Sequence, residues 1–125
     1  MSNKNNLSSK ERTKLKVRLD GRLRWEGLTG SNRIPSEEIY KILDYIIERI
    51  GLPDKCFFDS LYCFNPGNRD KIFPMEFGHI KSQSKGGTIT DSKNVIWICR
   101  RHNMMMGDRD LYDFKILLKS LRNKF

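Results

Sequence analysis

Cysteine is scarce in this chain: three in 125 residues, an odd number and too few to staple a small domain with disulfides. A reducing compartment, with thiols either buried or bound to metal, is the expectation. Long apolar runs are also missing. No segment approaches the roughly 20 residues that a bilayer crossing needs. The opening MSNKNNLSSKERTK lacks the apolar stretch of a secretory leader. These absences point to a soluble, intracellular protein without membrane association. Internal repeats and low-complexity segments are absent, and a chain of this length suits one domain with a modest core. Acidic residues are the third shortage: 15 Asp and Glu face 24 Lys and Arg, a formal charge of +9. A surplus of that size favours a polyanionic partner, because cations that neutralise phosphates release counterions.

The surplus is unevenly placed. Residues 1–24 carry Lys4, Lys10, Arg12, Lys14, Lys16, Arg18, Arg22 and Arg24 against Glu11 and Asp20, so +6 of the +9 lies in under a fifth of the chain. Two readings stand: a solvated tail, or an arm lying along a phosphate backbone without reading bases. Leu15, Val17, Leu19 and Leu23 alternate weakly with charges and allow a short edge strand. Gly21, Gly27 and Gly30 argue against a long helix. The next segment is clearer. Ser36 is a candidate N-cap followed by Glu37 and Glu38. Ile39, Ile42, Leu43, Ile46, Ile47 and Ile50 recur at helical spacing, and Gly51 and Pro53 supply a stop. This predicts a helix over 36–50, most simply packed in the core, with partner docking as the alternative. Beyond it, Phe57, Phe58, Leu61, Tyr62 and Phe64 precede an Asn65-Pro66-Gly67-Asn68 turn signal. Strands are expected over 72–80 and 94–99, forming a hairpin with a long loop. Leu111, Phe114, Leu117, Leu118 and Leu121 predict a closing helix over 110–123.

The stretch 76–108, EFGHIKSQSKGGTITDSKNVIWICRRHNMMMGD, concentrates the chemistry. A histidine ends an apolar run, a polar loop with Gly86-Gly87 follows, Asn94 opens a second strand, and Cys99-Arg100-Arg101-His102-Asn103 leads into a helix. That order of parts resembles the HNH nuclease motif of the ββα-metal (His-Me finger) superfamily, over about a quarter of the chain. The resemblance implies an α+β fold with a ββα-metal hairpin-helix flanked by additional helices. It divides the chain into a basic arm over 1–34 and a nuclease domain over 35–125, with the motif core at 72–109. It further implies a metal-dependent DNA endonuclease, a phosphodiester hydrolase using a histidine general base and one divalent ion. The alternative is a DNA-binding module on the same fold with weak or lost catalysis. A basic structural protein in which these residues are incidental is the more distant rival.

Carried onto this sequence, the resemblance makes His79 the general base, a role that neutral imidazole can fill near pH 7. It makes Asn94 the residue that pins the loop and orients the base. Asn103 becomes a ligand to a catalytic Mg²⁺ or Mn²⁺, for which an amide carbonyl is a suitable hard donor. The sequence departs from the family at Gly78, where an aspartate usually supplies the anionic ligand. Glu76, two residues earlier and so on the same strand face, is the candidate replacement. Its alternative is an ordinary surface ion pair. Relatives also clamp the unit with zinc held by two Cys-x-x-Cys knuckles. Here Cys99 and His102 form one knuckle, while Ser60 occupies a first-knuckle ligand position. Cys56 and Cys63 then complete a three-Cys, one-His zinc set through a longer loop, or else the thiols are free and buried. Lys81, Lys85, Arg100 and Arg101, with Lys93 and Arg109, are expected against phosphates. The expected partner is DNA, the expected state of the protein is a monomer or homodimer, and no small-molecule cofactor is expected.

Overall fold

In a computed structural model, which describes residues 7–58, 63 and 75–122, the chain opens on a long helix, α1, Ser9–Trp25. This corrects the solvated tail and the edge strand expected for the described part of residues 1–24, and the reading that its glycines argue against a long helix. Ser8 and Glu11 form a reciprocal capping box, each side chain accepting the other's backbone N–H at 3.1 and 3.0 Å, which starts the helix firmly. Leu15, Leu19 and Leu23 then fall four apart on one narrow stripe, and all three are buried. That stripe, diluted by cations, reads as weak alternation along the chain yet is a core seam on a helix. Gly21 lies exposed in the helix with open space around it. A glycine there costs only about 0.5–1 kcal/mol, less than burying one leucine returns. The stop is Gly27, whose φ of +86° is left-handed.

Helix α2, Ser36–Ile50, has the expected bounds. Its cap differs: Pro35 holds the N-cap position and Ser36 is the first helical residue, with its Oγ accepting from Lys16 Nζ at 3.1 Å. Ile39, Leu43, Ile46 and Ile47 are buried against α1. Arg12 closes the pair, donating from Nε and Nη2 to the two oxygens of Asp44 at 3.2 and 2.8 Å. Gly51 ends α2 with φ +77°.

The described sheet has two antiparallel strands, β1 (Glu76–His79) and β2 (Val95–Ile98), with Phe77 opposite Trp97 and Gly78 opposite Ile96. Both are shorter than expected. Ile80 has turned off the ladder to donate to Asn94 O, Asn94 sits in a one-turn 3₁₀ helix, and Cys99 is the N-cap of the next helix. Residues 72–74, Ser60 and the Asn65–Pro66–Gly67–Asn68 turn lie outside the described residues. The pleat alternates side chains between faces. Trp97, its ring tilted against that of Phe77 with centroids 4.9 Å apart, donates its indole N–H to Gly51 O at the end of α2. The opposite face, Glu76, Gly78, Ile96 and Ile98, turns toward α3 (Arg100–Met106). Gly107 stops α3, and α4, Leu111–Arg122, closes the described chain with Phe114 buried. Among the described residues the architecture is α+β, four α-helices around a hairpin, and no described helix is long and apolar enough to cross a membrane.

Candidate functional site

His79 ends β1 and is buried, 6% exposed. The segment after α3 is drawn across the strand end by two bonds: Leu111 N donates to Ile80 O at 2.8 Å, and Ser82 N to Asp110 Oδ1 at 2.7 Å. That docking brings the Arg109 carbonyl to 3.2 Å from His79 Nε2. A carbonyl only accepts, so Nε2 carries the proton and Nδ1 keeps its lone pair. A guanidinium from α1 faces that lone pair, with Arg22 Nη2 at 3.4 Å. Burial holds the His79 pKa below the usual histidine value, the Arg109 carbonyl opposes this, and the Arg22 charge lowers it further. Asp108 and Asp110 pull weakly upward. The imidazole is thus neutral, in one tautomer, with a basic nitrogen facing away from its anchor.

Asn94 fastens the loop that leaves His79. Its Oδ1 accepts from Lys81 N at 2.7 Å, and its Nδ2 donates to Lys81 O at 3.0 Å and Thr88 O at 3.3 Å. Every polar atom of this buried amide is used. Gly87 makes the closure feasible, since a Cβ there would strike the Lys81 carbonyl and come within 2.9 Å of Asn94 Nδ2. Glu26, at the end of α1, grips the same loop from outside, accepting from Thr88 Oγ1 at 2.6 Å and Ile89 N at 2.9 Å.

Glu76 and Asn103 come together. Asn103, in the middle of α3, donates Nδ2 to Glu76 Oε1 at 3.0 Å. With the amide turned over, the pair would present two hard oxygen donors, which suits an ion that keeps several water or phosphate ligands. The usual aspartate position is closed: a Cβ at Gly78 would lie 2.6 Å from Ile98 Cγ2 and 3.2 Å from Ile96 Cγ1. No hydrogen bond or ion pair joins His79 to Glu76 or Asn103. The pleat sets residues 76 and 79 on opposite faces of β1, so base candidate and ligand candidates flank the strand rather than share one contact.

The thiol cluster is compact. Cys56, Cys63, Cys99 and His102 place their ligand atoms within 4.8 Å of one another. His102 Nδ1 lies 3.8, 3.6 and 3.1 Å from the sulfurs of Cys56, Cys63 and Cys99. Bonds to zinc of about 2.3 Å for sulfur and 2.0 Å for nitrogen in tetrahedral array demand ligand separations of this order. Backbone N–H groups already point at the sulfurs, Cys99 N at Cys56 Sγ (3.2 Å) and His102 N at Cys99 Sγ (3.4 Å), as a thiolate set requires. The ring of His102 is stacked on Phe58 at 4.8 Å. These four residues are positioned to hold a metal ion, compatible with structural zinc.

Of the expected phosphate cations, Lys85 is engaged by acids, its Nζ 3.3 Å from Asp110 Oδ2 and 3.4 Å from Asp113 Oδ2, which raises its pKa. Asp110 in turn is held low, first by the Ser82 N–H. Lys81 is exposed beside the loop, and Arg100 and Arg101 are exposed on the first turn of α3. The sequence reading missed Arg22 and the Arg109 carbonyl. A helical reading of residues 9–25 would have found the first; the second, being backbone, left no residue-type signal. No family model, curated protein or solved structure matches this chain.

Proposed function

We propose that this protein is a metal-dependent DNA endonuclease built on a ββα-metal core. The observation carrying the proposal is the single-tautomer His79, anchored through Nε2 with Nδ1 left as acceptor, at the end of a strand whose other face carries Glu76 in contact with the Asn103 amide. Hydrolysis needs a base on the side of the attacking water and charge neutralisation on the side of the departing oxygen. Glu76 and Asn103 would hold a divalent ion such as Mg²⁺, which when bound supplies the positive charge that hydrolysis needs on the phosphate. His79 Nδ1 accepts a proton from water as its oxygen bonds to phosphorus. The bond from phosphorus to the 3′ oxygen breaks, and that oxygen gains a proton from solvent. The products are a 5′-phosphate and a 3′-hydroxyl. Asn94 and Arg109 hold the loop and the ring in register for this transfer, and the exposed cations Lys81, Arg100 and Arg101 supply phosphate contacts without base readout.

A plasmid-nicking assay with Mg²⁺ or Mn²⁺ against EDTA tests the proposal. Wild type should nick only with the metal, and His79→Ala should lose cleavage by two or more orders of magnitude while still binding DNA. Failure of wild type to nick under any divalent ion would discard it. The closed position at Gly78 favours a second reading, a DNA-binding module with little catalysis. That reading expects salt-sensitive DNA affinity with no nicking.

A further inference from the structure

Arg22 lies on α1, far in sequence from the motif. Its neighbours Leu19 and Leu23 are buried, so the backbone that carries it is rigid. The acid nearest along the helix, Asp20, is taken by Arg24 and Arg33 at 3.5 and 3.3 Å. Arg22 has no carboxylate partner among the described residues, and its Nε is buried without any hydrogen-bond partner. Leaving a charged donor in that condition is costly, because its hydration is lost and no protein acceptor replaces it. Its one polar contact, Nη2 to His79 Nδ1, is long at 3.4 Å and draws on a lone pair that the proposed reaction needs for water. The side chain therefore has a poor partner where it is and an unused donor on the same guanidinium. A phosphate oxygen pair accepts from Nε and Nη2 together in the fork geometry guanidinium favours.

We propose that Arg22 is the phosphodiester-binding residue of this site, and that in the free protein it caps His79 Nδ1 until a phosphate draws it away. Helix α1 then belongs to the site instead of merely lying near DNA. Binding of substrate frees the basic nitrogen at the moment the phosphate is in place, and keeps it covered otherwise. The inference rests on the nuclease reading of His79, and its test is arranged so that the two fail separately.

The experiment compares wild type, Arg22→Ala and Arg22→Lys in single-turnover cleavage of a duplex oligonucleotide. In parallel, ¹⁵N spectra of the histidine imidazoles are recorded with inorganic phosphate and with a phosphorothioate duplex. Arg22→Ala should slow the cleavage step about 10²-fold with a smaller change in half-saturating DNA, and Arg22→Lys should recover part of the rate. The His79 Nδ1 resonance of wild type should move on adding either probe. In Arg22→Ala it should start near the position that wild type reaches and stay there. Arg22→Ala cleaving within twofold of wild type, or a His79 resonance indifferent to both probes, overturns the proposal while leaving the nuclease reading intact. If wild type does not cleave at all, the nuclease reading fails. The spectra alone then decide whether Arg22 binds phosphate, an Arg22-dependent movement supporting it and a static resonance overturning it.

Discussion

At the scale of single residues, Gly78 and His79 show how packing and chemistry divide one dipeptide. Ile98 Cγ2 and Ile96 Cγ1 fill the space where a side chain at 78 would begin, so the glycine is a packing solution, and Glu76 is the carboxylate proposed in its place. Gly78→Ala should destabilise the fold by about 1–3 kcal/mol, read as a lower urea midpoint with unchanged slope. Gly78→Asp should be worse still and should not improve metal dependence. Glu76→Gln, by contrast, should leave stability nearly unchanged while raising the Mg²⁺ concentration needed for cleavage; overlapping metal titrations would remove Glu76 as a ligand. His79 makes a prediction about acid. Its folded pKa lies below the unfolded value, near 6.5, so its contribution to stability is complete above that value. It is lost as pH falls through 6.5 toward the folded pKa, because there the unfolded chain binds a proton that the folded ring refuses. Denaturation midpoints should therefore decline below pH 6.5 in wild type, and this part of the decline should be missing in His79→Gln. The Cys₃His set was legible in the sequence from its ligand types, although its spacing departs from a pair of knuckles, and the four ligand atoms do come together; Glu76 and Asn103, named through the resemblance, are in contact. Arg22 was not legible, because one cation among eight near the N-terminus carries no mark of which one faces inward.

At the scale of elements, legibility followed the strength of the periodic signal. Helix α2 shows a broad apolar face, Ile39, Leu43, Ile46 and Ile47, with acids at its start and glycine at its end, and its bounds were read correctly. Helix α1 buries only Leu15, Leu19 and Leu23, and its polar surface is so charged that composition spoke for a tail. What decides for a helix is the capping box and the clamps from Arg12 to Asp44 and from Glu26 to the Thr88 hydroxyl and the Ile89 N–H, all tertiary or local bonds that no residue count reveals. The consequence is functional. Lys10, Lys14, Arg18 and Arg22 follow one another at four-residue intervals, roughly 6 Å of rise apart, along a rigid rod that ends at His79. If DNA runs along that rod, each cation replaced by glutamine should flatten the slope of log affinity against log salt by about 0.9. Lys10→Gln with Lys14→Gln should therefore weaken binding of random-sequence duplex similarly for all sequences. A salt slope identical to wild type would place the DNA elsewhere. The loop closed by Asn94 is the other element whose geometry was foreseen in role but not in mechanism. Gly87→Ala should open it at a cost of about 1–3 kcal/mol, with cleavage falling further than stability because the loop leaves directly from the base.

At the scale of the whole molecule, two cohesive units meet at the hairpin. One is the α1–α2 pair with its leucine and isoleucine seam; the other is the thiol cluster, which ties the segment carrying Cys56 and Cys63 to Cys99 and His102 at the start of α3. Small zinc domains that lack any other core unfold when the metal leaves. In this chain the buried core extends well beyond the cluster: Leu15, Leu19, Ile39, Leu43, Ile46 and Ile47 pack in the same core as Cys56 and Cys99 without being ligands. Metal loss should therefore be partial in its effect. Stoichiometric zinc should be found in protein purified without chelator. Stripping it, or substituting Cys99→Ser, should lower the melting temperature and abolish cleavage while retaining most of the helical circular dichroism. Amide exchange should accelerate in α3 and β2 and stay slow in α1 and α2. The reason is that Asn103 sits one residue after His102, so the cluster aims the helix that reaches Glu76. Uniform loss of protection across all four helices would mean instead that the metal nucleates the entire fold, and protein with no bound zinc yet full stability would show the cluster to be a buried thiol pocket.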